Sequence, residues 1–85
     1  MDFIKNIQFT SLVKCEGKQR EFNFRKRRNA LVPYYNVDTV DLKGVRYQFS
    51  MEYQDDHWKI RESELPPWIL EAESLLSARI DENDG

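Results

Sequence analysis

The chain has 85 residues with five Phe, four Tyr, two Trp, a single Cys and a net charge of −2. That length suits one domain around one modest, aromatic-rich core. Cys15 alone excludes an internal disulfide, and no stretch approaches the roughly 18 apolar residues of a membrane-spanning helix. Met1–Lys5 shows no basic segment leading into an apolar run, so no signal peptide is expected. With one cysteine the chain reads as cytoplasmic. Charge is uneven: residues 1–30 carry eight Lys/Arg against three Asp/Glu, and residues 31–85 carry five against twelve. This predicts either a bipolar surface or basic strands paired with an acidic helix.

The first strand is expected from about Ile7 to Cys15, where Ile7, Phe9 and Val13 share one parity. Glu16-Gly17-Lys18 reads as a tight turn. A second strand from about Gln19 to Lys26 then turns Phe22 and Phe24 inward. Alternation lapses from Arg27 to Tyr35, where Asn29 and Pro33 mark a loop and Leu31 and Val32 are expected to tuck under the sheet. A third strand covers Tyr35 to Leu42. Its inward residues change parity at Val40 and Leu42, which predicts a bulge near Asp38 or cover on both faces.

Asp41-Leu42-Lys43-Gly44 suits a type I turn with Gly44 left-handed. The clearest pattern follows. Val45, Tyr47, Phe49, Met51 and Tyr53 alternate with polar residues, Asp55-Asp56-His57 reverses the chain, and Trp58 and Ile60 return inward, making Val45–Ile60 an amphipathic hairpin. Pro66-Pro67 stops the sheet. Trp68, Ile69, Ala72, Leu75 or Leu76, and Ile80 then recur at helical spacing, and residues 81–85 read as a polar tail that frays. The expected fold is α+β: a five-stranded antiparallel meander, strongly curled, with one C-terminal amphipathic helix on one face. The alternative is a small, partly closed β-barrel with that helix as its plug.

Candidate functional residues fall in two groups. Arg25-Lys26-Arg27-Arg28, with Arg20 on the same hairpin, could meet phosphate or an acidic protein; the plainer reading is a solvated strand end paired with the acidic helix. Tyr47, Tyr53, Trp58 and Trp68 could line a ligand pocket or an interface; the plainer reading is core, with Leu65–Ile69 a rigid hinge. Neither catalytic constellation nor metal or cofactor motif is assembled. His57 stands alone in a turn, Cys15 has no adjacent base, and the three glycines form no phosphate loop. The leading functional expectation is a non-enzymatic interaction or accessory protein, homodimeric because one helix is short cover for so apolar a sheet face. The others are a nucleic-acid-binding module using the basic cluster and a small carrier or enzyme with an aromatic-lined pocket.

Overall fold

Five alternating segments can satisfy their backbone groups only by pairing, and a meander is the shortest way to join them. A computed structural model of the chain describes residues 8–27 and 32–84. The strands are β1 (Gln8–Cys15), β2 (Lys18–Arg27), β3 (Tyr34–Val40), β4 (Arg46–Gln54) and β5 (His57–Ile60). They form one sheet in the order β1-β2-β3-β4-β5, every neighbouring pair antiparallel. The sheet is curled into a half-barrel, and a C-terminal helical segment packs against one face. That segment has two parts, α1 (Pro67–Leu70) and α2 (Glu73–Asp84). It meets both edge strands, β5 extensively and β1 more lightly, so the curl brings the ends of the sheet toward one helix.

The turns follow from residue chemistry. Two-residue loops at Glu16-Gly17 and Asp55-Asp56 place all four residues at positive φ, the geometry whose twist matches a hairpin and which Gly and Asp tolerate best. At Asp41–Gly44 the Gly44 amide donates to the Asp41 carbonyl at 3.0 Å, with Gly44 at φ +85°. The Asp41 carboxylate completes this turn by accepting the Lys43 and Val45 amides at 2.9 and 2.8 Å.

Parity decides the two faces. The inner face carries Val13 and Cys15, Phe22 and Phe24, Tyr35 and Val37, Phe49 and Met51, and Trp58, all buried. Ile69, Ala72, Leu76 and Ile80 of the helical segment close over them. Aromatic edges interlock within this core, with Tyr35 and Trp58 T-shaped at 5.0 Å and Phe9 stacked on Phe24 at 4.5 Å.

The structure departs from the sequence pattern around β3, the loop before it and the helix. Register through β3 is unbroken from Tyr34↔Glu52 to Val40↔Arg46, so there is no bulge at Asp38. Val40 lies outward and Leu42 projects from the turn, 70% exposed. Val45 precedes β4 and is exposed, so the inward row of the hairpin starts at Tyr47. Val32 does not tuck under the sheet but is 56% exposed; Leu31, like Ile7, lies outside the described residues. The expected single helix is divided around Glu71-Ala72, where the Ala72 amide tightens onto the Ile69 carbonyl. Of the two leucines, Leu76 is the buried one, and α2 continues through Asp84.

The edge at β5 is finished by side chains rather than by another strand. The Trp58 amide donates to Ser77 Oγ and the Ile60 amide to Glu73 Oε2, each at 2.9 Å. Four residues apart, Ser77 and Glu73 share one flank of α2. Beyond the end of β5, the Glu62 carboxylate accepts the Ser50 amide of β4 at 2.9 Å. Removing the Ser77 hydroxyl would leave the Trp58 amide buried and unpaired. Ser77→Ala is therefore expected to cost about 1–3 kcal/mol, measured by urea unfolding, whereas Ser74→Ala on the exposed side of the helix should change little.

Candidate functional site

Strand alternation separates the basic string. Arg25 and Arg27 point outward from β2, away from the helix. Lys26 turns inward, its Nζ 5.9 Å from the centre of the Tyr35 ring. Arg28 lies outside the described residues. Lys26 is thus parted from Arg25 and Arg27, which stay on the helix-free face, while on the helix Glu73 holds the Ile60 amide and Glu82 pairs with Arg79 at 3.3 Å. Among the described residues, Arg25 and Arg27 form no ion pair.

Both arginines line an open groove of about 840 Å³ across the helix-free face of the sheet. Cross-strand register assembles it. Gln8, Arg25, Asn36 and Ser50 lie in one row across β1 to β4. The next row is Thr10, Asn23, Asp38 and Gln48. That second row is wired: Thr10 Oγ1 donates to Asn23 Oδ1 at 2.7 Å, and Asn23 Nδ2 donates to Asp38 Oδ1 at 2.9 Å. Arg46 approaches the same carboxylate at 3.9 Å, and Glu62 stands at the rim. Arg25 therefore sits between two amides, Gln8 and Asn36, with no carboxylate opposite it. Four amides, two hydroxyls and three guanidiniums offer donors in excess of acceptors. Among the described residues the lining contains no His, Cys, Lys or Tyr. Among the described residues no group of three His, Cys, Asp or Glu converges to hold a metal ion.

Arg20 belongs to the other face. It shares the parity of Phe22 and Phe24 and is only 9% exposed. Its guanidinium lies 4.5 Å above the Trp68 ring, an attractive arrangement for a cation and a desolvated indole. Nε and Nη1 are buried without a hydrogen-bond partner among the described residues. Nearby, Tyr47 stands T-shaped to Trp68 at 5.9 Å and donates from its hydroxyl to Asp41 Oδ2 at 3.3 Å. Tyr53 packs on Trp58 at 5.4 Å. The four aromatic residues singled out from sequence thus form two contacting pairs on the inner face, with Trp58 buried and Tyr53 still 49% exposed, while the groove opens on the opposite face.

Electrostatics around Arg20 are cooperative. The Val45 amide, with smaller help from the Lys43 amide, the Tyr47 hydroxyl and the Arg20 charge, holds the Asp41 carboxyl below its ordinary range. Desolvation, with the Asp41 charge and hydrogen bond, pushes the Tyr47 phenol up. Burial likewise raises the Cys15 thiol, partly offset by Arg20, which disfavours the reactive thiolate.

Comparison of the chain with protein-family models, with characterised proteins and with solved structures finds no match. The groove was not visible from sequence because it depends on which outward residues become cross-strand neighbours. Its signal was the polar register opposite each apolar row: Asn23 and Arg25 against Phe22 and Phe24, Asn36 and Asp38 against Tyr35 and Val37.

A carboxyl whose folded pKa is depressed stabilises the protein fully above its unfolded pKa, near 3.9 for Asp. That contribution is lost as pH falls through the lower, folded value. Asp41→Asn is expected to flatten the fall in thermal stability below about pH 4, followed by circular dichroism across the acid range.

Proposed function

We propose that this protein is a non-enzymatic interaction module that works in the cytoplasm as a homodimer and uses the helix-free face of its sheet to dock an acidic segment of a partner protein. One observation carries the reading: Arg25 and Arg27 stand in an open polar groove without an ion-pair partner among the described residues. A guanidinium offers a planar fork of donors that fits a carboxylate through two hydrogen bonds. Gln8, Asn36 and Asn23 around it can pair with the donors and acceptors of an extended peptide main chain. Leaving such arginines solvated costs little, and pairing them on binding adds specificity and encounter rate.

Two features favour an acidic protein over a nucleic-acid strand. Single-stranded nucleic acid is held by aromatic platforms beside basic residues, and here Phe22 and Phe24 are inward and buried beneath the groove. Asp38 and Glu62 also put two carboxylates into the lining, which can accept the main-chain amides of a peptide, donors that a phosphate backbone lacks. The single buried Cys15 is in keeping with a reducing compartment. No described helix is long and apolar enough to cross a membrane.

The test is a titration with a short glutamate-rich peptide and, in parallel, a single-stranded oligonucleotide, followed by the arginine Nε–H resonances. The peptide is expected to shift Arg25 and Arg27, and Arg25→Glu with Arg27→Glu should weaken binding by about 10–100-fold without changing the unfolding midpoint. Tighter oligonucleotide binding with a steep salt dependence would transfer the site to nucleic acid. Absence of both responses would remove the groove from the account.

A further inference from the structure

The two edges of the sheet are treated differently. At the β5 edge, Ser77, Glu73 and Glu62 accept the amides of Trp58, Ile60 and Ser50. A strand arriving there would find its donors already engaged. At the other edge, β1 is eight residues long, about 27 Å. Alternate residues turn their N–H and C=O groups away from β2, and among the described residues none of these outward groups has a hydrogen-bond partner. Natural edge strands are usually protected by shortness, proline, a bulge or several charges. β1 has no proline, its register with β2 is unbroken, and Lys14 is its one charged residue.

Apolar side chains flank this bare edge on both sides of the sheet. Leu12, on the outward face of β1, is 53% exposed. On the helix, Leu75 is 47% exposed. At about 100° per residue it projects from the side of α2 opposite the flank formed by Glu73 and Ser77. That flank faces β5, so Leu75 occupies the side turned toward β1, the other strand that α2 meets.

We infer that two copies of the chain pair antiparallel along β1 about a two-fold axis at Leu12. The pairing gives the homodimer proposed above, on which this assignment rests, as one continuous ten-stranded sheet. Symmetric antiparallel pairing at this register sets Leu12 opposite Leu12 of the second copy, Thr10 opposite its Lys14 and Ser11 opposite its Val13. No like charges meet, the exposed leucine is covered by its own copy, and the contact is self-complementary, as a two-fold interface must be. Residues directly opposite in such a pair have Cβ atoms roughly 4.5–5.5 Å apart. Gln8 and Thr10 belong both to β1 and to the groove lining. The seam therefore brings the two grooves side by side on one face of the sheet.

The experiment combines solution mass with cross-linking. Light scattering over a concentration series should give the mass of a dimer. Leu12→Cys in a Cys15→Ala background should form an intermolecular disulfide on mild oxidation, because the two residue-12 side chains face each other, while Leu42→Cys in the same background should not. Leu12→Lys, which places like charges across the axis, should weaken dimerisation at least about tenfold with an unchanged far-ultraviolet spectrum. A dimer that neither cross-links through position 12 nor responds to Leu12→Lys would place the seam elsewhere and overturn this assignment while leaving the homodimer standing. A monomer at every concentration would overturn both.

Discussion

The placement of the helix on the sheet rests on two hydrogen bonds that carry β5 amides to side chains of α2, Trp58 to Ser77 and Ile60 to Glu73. A five-stranded sheet has one apolar face to cover and two edges to finish. Here a single helical segment addresses the face and one edge together. Ala72, Leu76 and Ile80 enter the core while Ser77 and Glu73, one step around the helix, meet the strand. The helix is thereby fixed in both rotation and translation: turning it by one residue would present an apolar side chain to the amides and a carboxylate to the core. The curl of the sheet follows, since β1 must bend to reach a helix already tied to β5.

The two faces of the sheet solve different problems. The inner face is a mosaic of rings in edge-on contact, which fills an irregular half-barrel without requiring a long aliphatic core. The outer face is a lattice of amides, hydroxyls and arginines in cross-strand rows. Its Thr10–Asn23–Asp38 chain links three strands by neutral and charge-assisted bonds, so a one-residue slip of β2 would break both links and also expose Phe22 and Phe24. Register is specified twice, once by burial and once by polar pairing.

Local alternation made the five strands and their order legible, because each strand has one dry and one wet face. What escaped the sequence reading was set by neighbours distant in the chain. Val40, Leu42 and Val45 look like core candidates by composition, yet they lie in or beside the turn between β3 and β4, and they remain exposed. Residues 25–27 look like a block of charge, but parity sends Lys26 to one face and the two arginines to the other. The same parity argument applied to Arg20 would have turned it inward with Phe22 and Phe24. Its partner Trp68 could not be foreseen, since the contact spans most of the chain. The groove itself has no contiguous sequence signature at all; it exists only once four strands are in register.

The caps on β5 also impose an order in time. Ser77 follows Trp58 by 19 residues. At a synthesis rate of about 5–20 residues per second the ribosome adds that intervening stretch in roughly 1–4 s. Hairpins of this kind close within about 10 μs. The nascent meander can therefore stand complete with both edges bare for a period several orders of magnitude longer than its own formation, until α2 arrives to occupy one of them. During that window the chain is most open to pairing with a neighbour on the same message, and the late arrival of a 12-residue helix decides which edge survives.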